Sequence, residues 1–196
     1  MSTLKTSNLQ HASAASANIT LASDGTTTIA APSNIIKSGT AVASTSGTSI
    51  DFTGLPSWVK RITVMFAGMS TSGFSNPLIQ LGDSGGIETT GYLGNGGYLA
   101  SAAAIGISSW TAGFGLSQSG QWNTSQIVSG FATIVLINSS SNLWACTARV
   151  ALEGGTSVFF TAGQKPLSAT LDRVRITTVN GTDTFDAGTI NILYEG

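Results

Sequence analysis

Ser84 sits in Gly82-Asp-Ser-Gly-Gly86, flanked by glycine as the nucleophile of an acyl-transferring triad often is, and His11 and Asp51 precede it in a workable order. The surroundings argue against that chemistry. His11 lies in a thin Ser- and Ala-rich stretch, Asp51 has no triad-like context, and too much chain follows Ser84. A glycine turn between strands accounts for the same residues. Glycan hydrolysis would need two carboxylates facing each other, one of them held protonated. The acids are Asp24, Asp51, Asp83, Glu88, Glu153, Asp172, Asp183, Asp186 and Glu195, mostly beside turns or strand ends. Asp183-Thr-Phe-Asp186 is expected to close a loop by accepting backbone amides. One histidine, one cysteine and no Asp-x-Asp-x-Asp-Gly loop give no basis for a metal site, and no cofactor is expected. Gly94-Asn-Gly-Gly97 lacks the strand-before, helix-after context of a phosphate-cradling loop and reads as a turn. The chain is expected not to be an enzyme.

Binding chemistry is better represented. The Gly-rich segment 82–126 carries Tyr92, Tyr98, Trp110, Phe114 and Trp122 with weak periodicity, as a long loop would. Two accounts stay open for these side chains. They either cap the core, the commoner fate of large aromatics, or offer flat faces to sugar rings or a protein receptor.

The elements that must hold them are strands. Val174 and Ile176 alternate with Arg173, Arg175 and Thr177, and Ile190, Ile192 and Tyr194 share one face of a second run, so the last stretch of sequence belongs to a sheet. Asn180-Gly181 supplies the turn between them. Further strands are expected at 40–44, 49–52, 60–67, 78–81, 98–103, 130–138, 144–152, 157–161, 171–179 and 189–194, separated by Gly, Pro, Asn and Ser clusters. The segment 131–137 is apolar on both sides, which predicts a central strand or one covered by a second chain. Residues 1–38 differ in texture. Within them, 18–29 reads as a short hairpin turning at Asp24-Gly25, too small to hold alone. The expected division is an extended N-terminal attachment and oligomerisation segment, 1–38, followed by an all-β, antiparallel β-sandwich domain, 39–196.

Composition narrows the partners. Charged residues are 9% of the chain, against roughly 25% in an ordinary soluble domain, so its surface must be built from Ser, Thr, Gly, Asn and Ala. Weak charge repulsion between copies favours an oligomer or a large assembly. A net charge of −1 offers no basic footprint for nucleic acid and no polybasic patch for lipid, so neither nucleic-acid binding nor membrane insertion is expected. Cys146 lies on the face of Trp144, Ala148 and Val150 and is expected to be a buried, inert thiol. Met1–Lys5 leads into polar residues with no apolar core of signal-peptide length, so synthesis in a cytoplasm without a secretion signal is expected.

Two groups of residues carry a resemblance. Met1-Ser-Thr-Leu-Lys-Thr-Ser-Asn-Leu-Gln-His-Ala-Ser-Ala, running into Ile19-Thr-Leu-Ala-Ser-Asp-Gly-Thr-Thr-Thr-Ile29, resembles the leader of tail-fibre-like virion structural proteins of tailed bacteriophages of cyanophage and marine type. The stretches from Ile50 to Val64 and from Leu171 to Tyr194 resemble the opening and closing strands of the domain found in such proteins. The resemblance covers somewhat under half the chain and leaves the middle third out. It implies a jelly-roll-like sandwich in a homo-oligomer, a trimer, within the virion. The N-terminal segment would join other virion proteins, and the far end would bind a host-surface glycan or protein without cutting it. A capsid decoration or head-fibre protein and a tailspike-type glycan hydrolase are the alternatives.

Overall fold

Residues 6–29, 36–101, 105–155 and 157–196 are described by the computed structural model. Pro32, expected near the domain boundary, lies outside them, as do residues 1–5 of the leader and 102–103 of one expected strand. Among the described residues there is no helix, and every strand pairing is antiparallel.

Near the N-terminus β1 (Asn8–Leu9), β2 (Ile19–Leu21) and β3 (Thr27–Ile29) form a three-stranded sheet in that order. The expected hairpin is present, with a positive φ of 86° at Gly25 in its turn, and β1 adds a third strand. Then follow β4 (Lys37–Ser38), β5 (Val42–Ala43), β6 (Ser49–Thr53), β7 (Arg61–Thr71), β8 (Pro77–Asp83) and β9 (Gly86–Ile87). The remaining strands are β10 (Leu93–Ala100), β11 (Ile105–Trp110), β12 (Phe114–Gly115), β13 (Val128–Asn138), β14 (Leu143–Leu152), β15 (Ser157–Pro166), β16 (Arg173–Thr178) and β17 (Phe185–Glu195).

Two sheets pack as a sandwich. The larger runs β11-β10-β15-β14-β13-β7-β17-β4, with β5 also on β17. The smaller runs β12-β8-β16-β6, with β9 on β8. The chain crosses from one sheet to the other between β5 and β6, β6 and β7, β7 and β8, β9 and β10, β11 and β12, β12 and β13, β15 and β16, and β16 and β17. It joins the large sheet already at Lys37, which pairs with Tyr194, one residue before the end of β17.

The period-two pattern explains which face is buried. One ladder row of the large sheet runs Gly96, Thr161, Ala148, Ala132, Val64, Ile192 and is buried throughout. The next contains Cys146, Ile134 and Ile62, equally buried. From the small sheet Ile50, Phe52, Ile79, Leu81, Val174 and Ile176 meet them, so all of these belong to one core. β13 is a central strand, flanked by β14 and β7, as its two-sided apolar sequence predicts.

The segment 82–126 departs from expectation: it is not a long loop but contributes β9 to β12. Glycine hides the alternation, because on β10 the inward positions are occupied by Gly94 and Gly96. A Cβ on Gly96 would lie 2.7 Å from Trp110 Nε1 and 2.8 Å from Thr161 Oγ1. The missing side chain makes room for a tryptophan delivered from the neighbouring strand.

Candidate functional site

The five aromatics of 82–126 are drawn into the sandwich, the first of the two accounts that their sequence leaves open. Tyr92, Phe114 and Trp122 are at most 2% exposed and Trp110 is 8% exposed. Tyr98 is half-buried on the inward face of β10, its ring 6.4 Å from that of Phe159. Burial is driven by their apolar area, and the Tyr92 hydroxyl and the Trp122 indole N–H find partners. Tyr92 accepts the Leu81 amide at 2.7 Å and donates to the Glu88 carbonyl at 3.0 Å, while its ring meets Phe114 edge-on at 5.0 Å. Burial pushes the Tyr92 hydroxyl pKa well up, so it stays protonated. Trp122 Nε1 donates to Thr71 Oγ1 at 2.7 Å. Trp110 Nε1 is buried without a partner, against Gly96 and Gly115 rather than toward solvent. Tyr92 and Trp110 border a depression of about 200 Å³. It is smaller than the roughly 300 Å³ at which ligand pockets begin.

Most of the carboxylates are committed to structure. Asp51 and Arg175 make a two-pronged pair at 2.7 Å and 2.7 Å, tying β6 to β16. Glu195 pairs with Arg61 across β17 and β7, and Asp172 with Arg173 at 2.6 Å. Asp183 Oδ2 accepts the Ser75 amide at 2.9 Å and Oδ1 the Asn180 side chain at 2.7 Å, the loop closure expected of it. The Gly82–Gly86 segment is the turn of the β8–β9 hairpin, with Asp83 Oδ1 accepting the Gly85 amide at 2.7 Å. Asp51 is occupied by Arg175, and His11 belongs to the small N-terminal sheet, where its amide donates to Asn18. The triad order of the sequence has no counterpart in these contacts.

The densest polar cluster joins Asp83, Glu88, Lys165 and Ser168. Ser168 Oγ lies 2.8 Å from Asp83 Oδ2 and 2.7 Å from Glu88 Oε1, and its amide donates to Glu88 at 2.7 Å. Lys165, buried on the inner side of β15, bonds Glu88 and the Pro166 carbonyl, with its ammonium 5.5 Å from the Tyr92 ring centre. Burial works to raise the Glu88 pKa, but the Lys165 bond and the Ser168 amide and hydroxyl outweigh it and hold the carboxyl below its usual value. The Ser168 hydroxyl and the Gly85 amide likewise depress Asp83. Both acids are therefore held as carboxylates, the opposite of what a proton-donating member of a glycosidase pair requires. The cluster pins the β9 turn and residues 88–92 to the end of β15. Among the described residues no group of three or more His, Cys, Asp or Glu side chains could hold a metal.

What sequence reasoning missed is the outward face of the large sheet. Ile105 and Ile107 on β11, Leu99 on β10, Val158 on β15 and Phe131 on β13 all point away from the core and are exposed. The signal was available in part: apolar residues at alternate positions, Ile105 and Ile107, and Phe131, Val135 and Ile137, on strands whose other face also fills the core. No protein-family model matches the chain, and a search of curated proteins finds no match.

Proposed function

We propose that this chain is a non-catalytic structural protein working in several copies within a larger particle. Its resemblance to tail-fibre-like virion proteins makes the particle a tailed-bacteriophage virion and the role that of an appendage attaching to the host surface. The observation that carries the assembly reading is the small sheet of residues 6–29. Among the described residues all its hydrogen bonds run within itself, and Leu9 and Leu21 stand exposed beside a half-buried Ile19. A sheet of three two- or three-residue strands with no covered apolar face does not hold in water by itself. Its sequence makes sense as a docking piece whose missing layer comes from another chain, and its position on the N-terminal side of the sandwich suits an anchor to other virion proteins.

Non-catalytic binding is supported by the commitment of most carboxylates to ion pairs, turns and loop closures, and by the burial of the aromatics. Attachment falls to exposed polar loops of the sandwich rather than to those rings. Gold-labelled antibody against the full chain, applied to purified virions, tests this directly. Label on the tail supports the appendage reading, label on the head makes the chain a capsid decoration or head-fibre protein, and no label on particles overturns the virion role. Release of oligosaccharide from host surface polysaccharide by the purified chain would overturn the non-catalytic part.

A further inference from the structure

The outward face of the large sheet is a flat surface with an unusual composition. Reading along one ladder row it carries Ile107, Gly97, Phe160, Arg149, Phe131 and Met65. The row beside it carries Ile105, Leu99, Val158, Ala151 and Ser129. Ile105 is 73% exposed, Ile107 67% and Phe131 54%. Soluble monomers rarely leave a contiguous apolar patch of more than a few hundred Å² open. Five strands about 4.8 Å apart, over a ladder length of roughly 20 Å, give this face a footprint of roughly 500 Å². That is the size of the largest apolar patch a typical monomer leaves open, a feature that is often functional, and it is short of the ~800 Å² per partner of a standard interface, so the contact it makes is a small one.

We infer that this face, on β11, β10, β15, β14 and β13, is the surface through which one copy of the chain docks on a second copy. The inference rests on the multicopy reading above and gives it a location. Charge selects the occupant. Across these five strands and the residue after β14 the charged groups facing outward are Arg149 and Glu153, since Lys165 points into the core. Arg149 makes no ion pair among the described residues, and Glu153 is bonded to the Ser129 hydroxyl. They lie four residues apart, Arg149 on β14 and Glu153 in the turn after it, and no ion pair joins them among the described residues, so they do not neutralise each other within a protomer. Two such faces laid together about a twofold axis bring each Arg149 toward the other copy's Glu153 and leave the aliphatic rows against each other. A strongly acidic or basic partner would find no matching field here. A saccharide would find aliphatic side chains where it needs hydrogen-bonding groups. The free edge of β11 extends the same surface and is otherwise an exposed apolar edge strand, which proteins normally cover.

The test is the molar mass of the full chain by light scattering after size-exclusion chromatography. It compares wild type, Ile107→Glu/Phe131→Glu, Arg149→Glu, Glu153→Arg and the charge-swapped double variant, with circular dichroism confirming the fold of each. The side chains changed lie outside the core. Wild type is expected to self-associate, the Glu pair to weaken association by roughly 30-fold or more, each single reversal to weaken it, and the swap to recover it. A self-associating wild type whose mass none of these variants alters overturns this interface and leaves the multicopy reading standing. A wild type that stays at 19.9 kDa at every concentration overturns both.

Discussion

Trp122 Nε1 donates to Thr71 Oγ1 at 2.7 Å, and both side chains are buried. The bond fastens the connection between β12 and β13 to the end of β7 and sets what this tryptophan does. A stacking residue on a surface could be truncated without harm to the fold. Trp122→Ala is instead expected to cost about 3–5 kcal/mol through the cavity it leaves. Thr71→Val, nearly isosteric, strands the indole N–H and is expected to cost about 1–3 kcal/mol. Urea unfolding of the two variants checks both figures, and a Trp122→Ala variant as stable as wild type would return the residue to the list of ligand-binding candidates.

The Lys165–Glu88 pair sits where β15 ends and is expected to behave as a buried pair, costly to break from one side. Lys165→Met leaves a partly buried carboxylate unpaired and should cost about 3–5 kcal/mol, whereas Lys165→Met combined with Glu88→Gln should recover much of the loss. A double-mutant cycle in thermal unfolding measures the difference.

Glu88 also predicts an acid limb. Its folded pKa lies below the ordinary value of 4.5, so the native state binds its proton less readily than the unfolded chain. The stability it contributes is complete above about that pH and is lost as the pH falls through the lower folded value. Asp83 acts in the same direction from an ordinary value of 3.8. Stability measured between neutral pH and strongly acidic pH should therefore hold level and then fall, and Glu88→Gln should make the fall shallower.

Cys146 is 1% exposed between Trp144 and Ala148 on the inward face of β14, and burial pushes its thiol pKa well above the usual range. Its reaction with a thiol reagent at mildly alkaline pH should be slow in the native protein and fast in denaturant. Rapid native labelling would mean that the sandwich opens locally at β14.

A chain beginning at residue 36 should keep the sandwich, since the hydrogen bonds of the small N-terminal sheet stay within it. Circular dichroism and unfolding midpoint close to those of the full chain are expected, together with loss of incorporation into particles. Incorporation at the wild-type level would contradict the anchoring role.

Much of the sandwich was legible because alternation in its strands is undiluted. Val64, Ile62 and Phe66, or Ala148, Cys146 and Val150, announce a buried face directly, and the expected strands at 60–67 and 144–152 match β7 and β14 closely. Legibility failed where glycine replaced the inward residue. β10 reads Leu-Gly-Asn-Gly-Gly-Tyr, and its inward Gly94 and Gly96 give no hydrophobic signal although the strand is central enough to pair on both sides. The aromatics then looked unsupported, although Trp110 fills the space that Gly96 vacates. The contacts of Asp183 with Ser75 and of Lys165 with Glu88 span far more sequence than a local pattern can link. Of these, only the loop-closing role of Asp183 was suggested by residue type. The open apolar face was half visible, because two-sided apolar character marks a strand as covered without saying by what.

Sedimentation equilibrium of the full chain over a wide concentration range tests the central claim, that this protein is completed by other copies of itself. The account predicts a mass that is a multiple of 19.9 kDa and falls toward the single-chain value on dilution or on loading the outward face with Glu at Ile107 and Phe131. A single species of 19.9 kDa throughout, stably folded with that face open to water, would contradict it.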